Sequence, residues 1–135
     1  MIDTIGGKVV MVSNQVSALD FYVNKLGLQK KVDMTFEQMR WIEVAPQNSE
    51  SSISLMEPNP KIMPAQTAEA AKKSIGTPTG IWFYTNDIQG TYAELKAKGV
   101  SISQPQKQDW GGIMCIIKDQ DGNEFQLISA PEPVK

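Results

Sequence analysis

The sequence predicts an α+β fold of two tandem β-α-β-β-β modules, and three observations carry that prediction. A helix framed by a capping Asn and a terminating Gly occurs twice, Asn14 to Gly27 and Asn86 to Gly99, and both landmarks are displaced by the same 72 residues. Each helix follows a short β-branched or aromatic run, Lys8-Val9-Val10-Met11-Val12 in one copy and Gly80-Ile81-Trp82-Phe83-Tyr84-Thr85 in the other. The chain then closes on an apolar run from Cys115, a turn around Asp121-Gly122-Asn123, and a returning strand to Ser129 in which polar and apolar residues alternate. A pattern that restarts at a fixed offset marks a repeated supersecondary unit.

Taken in order, the first strand hands over at Ser13 and Asn14, both candidate caps, to a helix from about Val16 to Leu26. Val16, Leu19, Val23 and Leu26 lie at helical spacing, and Gly27 ends the helix in the way a glycine past the last turn does. Three strands are expected next, at Gln29 to Met34, Gln38 to Ala45 and Ser51 to Glu57, with Pro46 to Glu50 a polar turn. Pro58 to Pro78 is a linker whose middle, Ala65 to Ser74, has helix-forming composition. The second copy runs from Gly80 through a helix at Ile88 to Lys98, capped by Asn86-Asp87, then a strand at Val100 to Ser103. A turn region at Pro105 to Asp109 and a Trp110-Gly111-Gly112 loop precede the final hairpin. The predicted boundaries are 1–60 for the first module, 61–78 for the linker and 79–130 for the second, all within one compact domain. On the last strand, Phe125 and Leu127 face one side, and Glu124, Gln126 and Ile128 the other.

Two of these stretches carry a resemblance. Asp119-Gln120-Asp121-Gly122-Asn123 followed by a strand resembles the closing signature of the vicinal-oxygen-chelate superfamily, the group of glyoxalases, bleomycin-resistance proteins and extradiol dioxygenases. Ala18 to Leu28, with Phe21-Tyr22 and Leu26-Gly27, resembles its first-helix signature, commonly S-x-x-F-Y-x-x-x-L-G. The resemblance covers nearly the whole chain. It implies that the two modules form a curved, open mixed sheet with helices outside and a ligand cavity inside, and that the protein is a homodimer.

Composition narrows the function. The chain of 135 residues is 41% hydrophobic and 21% charged, with a net charge of −2. That balance gives no electrostatic reason to expect nucleic acid or an anionic membrane as partner. No apolar run reaches the roughly 18–20 residues of a membrane span, and no basic-then-apolar leader opens the sequence. The single cysteine, Cys115, leaves no internal disulfide and sits in an apolar strand. A cytoplasmic protein is expected. There is no histidine, so imidazole is absent as base, triad member or metal ligand.

In the superfamily's metal enzymes, four ligands sit on the first and last strands of each module. Carried onto this chain, those positions fall on Gly7 (Lys8 if the register slips by one), Ser54, Gly80 and Gln126. Glycine offers no side chain, serine a neutral hydroxyl and glutamine a carbonyl oxygen, whereas a divalent ion requires several anionic oxygens or imidazoles. The expectation is no metal and no other cofactor.

Strand parity then gives the lining of a cavity. Trp82 and Tyr84 follow Gly80, Met56 follows Ser54, and Met39, Trp41 and Glu43 face inward if Ile42 and Val44 pack under the helix. The expected ligand-binding residues are Trp41, Met56, Trp82, Tyr84, Trp110 at the mouth, and Gln126. An aromatic, Met-rich surface of this kind suits a flat or apolar organic molecule, although such aromatics also serve as plain core or interface. Glu43 is the one inward carboxylate to nominate as a catalytic base. Three readings follow. The leading one is a metal-independent small-molecule-binding protein resembling the bleomycin-resistance branch. The second is an enzyme, a glyoxalase-like lyase, an isomerase or a dioxygenase, with a metal on non-standard ligands. The third is a dimeric interaction protein with a vestigial cavity.

Overall fold

The computed structural model describes residues 1–129 and divides into two compact units, one from Met1 to Gly76 and the other from Thr77 onward. The fold is α+β, and each unit builds its own mixed sheet. The expected end of the second module, residue 130, lies outside the described residues.

In the first unit, β1 (Gly7–Met11), β2 (Gln29–Phe36), β3 (Met39–Ala45) and β4 (Ser52–Met56) pair in the order β1-β4-β3-β2. β1 runs parallel to β4, and the other pairs are antiparallel. A parallel pair needs a long crossover, and the helix α1 (Gln15–Asp20) lies in it. One sheet face is core: Val10, Ile42, Val44, Ile53 and Leu55 are all buried on it. Gln15 ties α1 to that face, its amide Nε2 donating to the Arg40 and Leu55 carbonyls at 2.7 Å each. The expected linker helix is present as α2 (Ala65–Ser74), buries Ala68 and Ala71, and belongs to this unit.

The first helix differs from its expected face. Asn14 caps it as foreseen, accepting from the Ser17 N–H at 2.9 Å. Beyond Asp20, however, the chain widens into a π turn over Phe21–Lys25, with the Leu26 N–H donating to the Phe21 carbonyl five residues back at 3.1 Å. The buried side chains are therefore Gln15, Ala18, Phe21 and Tyr22, while Val16 is 67% exposed. The repeat explains the extra residue. The cap of the second helix is Asp87, which accepts from the Gly90 N–H at 2.9 Å, and not Asn86. The first helix must consequently fit one more residue between its cap and its terminal glycine. A π turn absorbs that residue and turns two adjacent aromatics inward, with Phe21 and Tyr22 edge to face at 5.5 Å.

At the far end of the first sheet, Arg40 donates to Asp33 through Nε at 2.9 Å and Nη2 at 2.7 Å, and Lys30 reaches the same carboxylate at 3.0 Å. These bonds hold the Asp33 carboxyl well below the usual carboxylate range. A depressed folded-state value stabilises the fold above the unfolded value of about 3.9 and loses that contribution as the pH falls toward the folded value. Asp33→Asn is thus expected to melt slightly below the wild type at neutral pH and to converge with it in strong acid. Parallel melting curves at every pH would exclude this account.

In the second unit, β5 (Pro78–Thr85), β9 (Glu124–Ser129), β8 (Ile113–Lys118) and β6 (Ser101–Ile102) pair in that order. A two-residue strand, β7 (Gln106–Lys107), also pairs with β8 where only a turn was expected. The helix α3 (Ile88–Ala97) packs on β8 and β9 and buries Ile88 and Leu95. Phe125 and Leu127 are buried, as the alternation predicted, and Phe125 stacks on Phe83 at 5.4 Å. Cys115 is buried as well, and desolvation pushes its thiol up from the ordinary value.

The closing hairpin exists, but its loop is longer than the Asp121-Gly122-Asn123 turn expected from the sequence. The last paired residues are Lys118 and Glu124, leaving Asp119 to Asn123 as the loop. Asp119 sets that length. Its Oδ1 accepts from the Asp121 and Asn123 N–H groups at 2.9 Å each, and its Oδ2 accepts from the Asn123 amide at 2.8 Å. Gly122 takes the positive φ of 84° that the turn needs.

Candidate functional site

The second unit carries a cleft of about 270 Å³ lined by Pro78, Gly80, Ile81, Trp82, Ile116, Glu124, Phe125 and Gln126. A bulge in β5 makes it. Pro78 pairs with Glu124 and Trp82 pairs with Gln126, so Thr79, Gly80 and Ile81 stand against Phe125 alone. Gly80 adopts a φ of 77°, and the Thr79 hydroxyl fixes the detour by donating to the Glu124 carbonyl at 2.8 Å while accepting from the Ile81 N–H at 3.1 Å. Beyond the bulge the pleat resumes, and Trp82, Gln126 and Ile116 form a row across three strands. Trp82 is 53% exposed and Tyr84 59% exposed on the same face. Glu124 lies 3.7 Å from Lys118. The cleft therefore offers an indole surface, an amide able both to donate and to accept, and a carboxylate already near a cation.

In the first unit, the sheet face opposite the core is apolar and sulfur-rich. The register places Val9, Ser54 and Glu43 side by side, with Met11 beside Met56 and Met34 beside Trp41. Met34 is 48% exposed, while Trp41, Glu43 and Met56 are half-buried. Trp41 Nε1 donates to Glu43 Oε2 at 2.7 Å. Ser54 is only 5% exposed, and its hydroxyl has no hydrogen-bond partner among the described residues. Arg40 projects to the other face and is committed to Asp33.

The residues singled out from the sequence fall into two groups. Trp82 and Gln126, with Gly80, line the cleft of the second unit, and Tyr84 follows on the same face. Trp41, Glu43, Ser54 and Met56 share the open face of the first unit's sheet. Trp110 belongs to neither group. It sits at the turn between β7 and β8, 62% exposed, with its ring folded over Gly112 so closely that a Cβ there would collide with it. Pro78, Ile81 and Ile116 were not foreseen. A glycine inside a strand is the one signal for a bulge that the sequence offered.

The donor sets do not suit a divalent metal. Gly7 pairs with Ser52, and its backbone passes so close that a Cβ would strike the Ser52 carbonyl, so any side chain there forces the backbone to shift. The residue beside Ser54 is Val9, and the residue beside Gln126 is Trp82. Glu43 is the one carboxylate adjoining Ser54 in the register, and one of its oxygens already accepts from Trp41. No cluster of three or more Asp, Glu or Cys occurs among the described residues. A hydroxyl and one carboxylate fall well short of the six to eight oxygens of a Ca²⁺ site or the octahedron of a Mg²⁺ site. Among the described residues, no helix is long and apolar enough to cross a membrane.

Comparison with known proteins gives a consistent family. Two proteins of Bacillus subtilis (strain 168), both of uncharacterized function, are similar to this chain. YetH is 34% identical over 129 residues, covering 94% of this chain and 98% of the relative. YurT is 35% identical over 122 residues, covering 88% and 93%. Among solved structures, a glyoxalase/bleomycin resistance protein/dioxygenase superfamily member from Sphaerobacter thermophilus DSM 20745 superposes with a TM-score of 0.83 at 33% identity, covering 96% of this chain and 98% of that one. TnmS3, an antibiotic binding protein from Streptomyces sp. CB03234, superposes with a TM-score of 0.77 at 28% identity, covering 96% and 98%. The Glyoxalase/Bleomycin resistance protein/Dioxygenase family model matches residues 2–127, and the chain belongs to that superfamily.

Proposed function

We propose that this protein binds a small, flat or apolar organic molecule without a metal ion and sequesters it rather than transforming it. The observation that carries the reading is the cleft beside Trp82: a bulge held open by Thr79 and Gly80, an exposed indole, and a single amide from Gln126 aimed at the same space. Apolar walls with a few convergent polar groups are the usual make-up of a ligand site. At about 270 Å³, the cleft lies just under the roughly 300–1,000 Å³ of drug-sized sites, which fits one ring system. The similarity to an antibiotic binding protein supports a binding role over catalysis. The donor sets, which lack the charge a divalent ion needs, support metal independence. The protein acts in the cytoplasm as a homodimer, in which a second copy covers exposed sheet edges. Light scattering at micromolar concentration checks the dimer, and a monomeric mass removes it.

The test of binding is tryptophan fluorescence. A bound aromatic compound is expected to change the emission, the change is expected to persist in chelator, and Trp82→Ala is expected to remove the part of it that arises in the cleft. A response that vanishes in chelator, or turnover that is lost in Glu43→Gln, would replace this reading with the metal-dependent enzyme.

A further inference from the structure

We propose that Ser54 and Glu43, on the face of the first unit's sheet opposite its core, form a hydrogen-bonding site for a hydroxyl group carried on an apolar ring. The site is built by residues of the first unit alone, and the cleft beside Trp82 by residues of the second.

Ser54 points the same way as its cross-strand neighbours Val9 and Glu43, away from the buried Ile53 and Leu55. Its hydroxyl is buried and has no partner among the described residues. A buried hydroxyl left unpaired costs free energy, and native folds rarely keep one without a reason. Directly opposite on β3 lies Glu43. Paired residues on adjacent antiparallel strands hold their Cβ atoms about 4.5–5.5 Å apart, so one small group can reach both side chains. Trp41 fixes the carboxylate by donating to its Oε2, which leaves Oε1 able to accept.

This donor set selects the ligand chemistry. A carboxylate only accepts, so the ligand must present an O–H or N–H to it. The serine hydroxyl needs an acceptor for its own proton. One hydroxyl group meets both demands, donating to Glu43 and accepting from Ser54, whereas an ammonium ion has no lone pair for the second bond. The surroundings select the frame. Val9, Met11, Met34, Met56 and Trp41 lie on the same face, and thioethers and an indole favour an aromatic ring. Met56, half-buried two residues along the same strand, is a flexible side chain able to adjust to a ring bound on this face.

The test uses 2-naphthol against naphthalene, followed by two-dimensional ¹⁵N NMR at the Trp41 indole N–H. In the wild type, 2-naphthol is expected to shift that resonance and to bind about tenfold or more tightly than naphthalene, the ratio set by hydrogen bonds to a charged group. Ser54→Ala is expected to bring the two affinities together and to melt about 3 °C higher without ligand, since an unpaired buried hydroxyl has been removed. Glu43→Gln, which preserves shape, is expected to weaken 2-naphthol alone. The proposal is overturned if 2-naphthol leaves the Trp41 resonance unmoved, if the wild type binds both compounds equally, or if Ser54→Ala melts lower. Failure of the cleft reading appears separately, as a fluorescence response indifferent to Trp82→Ala.

Discussion

Asp119→Ala is expected to lower stability by about 3 kcal/mol, the largest loss we anticipate from a single polar side chain here. Asp119 is 6% exposed, and its carboxylate accepts from two backbone N–H groups and from the Asn123 amide. Asn123 is 2% exposed, so its N–H and amide have little water to turn to once the carboxylate is gone. A hydrogen bond to a charged group contributes about 1.5–3 kcal/mol net, and leaving a buried donor unpaired adds about 1–3 kcal/mol. Part of the sum is recovered by relaxation, because Gln120, in the same turn, is exposed. Asp119→Asn is the informative partner. Its carbonyl can still accept from both backbone groups, but its NH₂ would face the NH₂ of Asn123, so a loss of about 1 kcal/mol is expected. Urea unfolding of the three proteins checks the order. Equal midpoints for Asp119→Ala and the wild type would show that the turn is held by its backbone alone.

Gly7→Ala is expected to cost about 2 kcal/mol, within the usual range of 1–3 kcal/mol for forcing extra atoms into a packed site. A methyl group at Gly7 would strike the Ser52 carbonyl, and this segment of β1 is tied to β4 by the Ser52 N–H donating to the Gly6 carbonyl at 2.9 Å. The control is Gly6→Ala, where nothing lies within 4 Å of the added carbon and a change within about 0.5 kcal/mol is expected. The same geometry governs the metal question. Gly7→His would place an imidazole at a family ligand position, yet it is expected to destabilise the protein and to leave its melting temperature unchanged by Ni²⁺ or Zn²⁺. A ligand bound at 100 times its Kd would raise stability by about 2.7 kcal/mol, so a clear melting shift in that variant would show that the backbone can yield.

Much of the fold was legible because its signals are local. The Asn14 cap, the stop at Gly27 and the linker helix over Ala65–Ser74 depend on residues within a turn of one another. Alternation alone placed Phe125 and Leu127 in the core and Trp82 and Tyr84 on the open face. The helix face of the first module failed for an identifiable reason. Spacing of 3.6 residues selected Val16, whereas the π turn at Phe21–Lys25 breaks that period and puts Phe21 and Tyr22 inward together. The hairpin loop came out longer than expected because Asp121-Gly122-Asn123 marks a turn without fixing its length, which the Asp119 carboxylate sets through backbone groups two and four residues on.

The duplicated architecture, the caps, the alternation of the strands and the lack of imidazole all follow from residue type and spacing along the chain. Tertiary structure decided which of those residues meet. Only pairing between strands set Ser54 beside Glu43, closed Gly7 against the Ser52 carbonyl, and stretched β5 into the bulge that opens a cleft beside Trp82. Register is a relation between distant segments, and no single segment encodes it: a shift of one residue would move every one of these side chains to the opposite face.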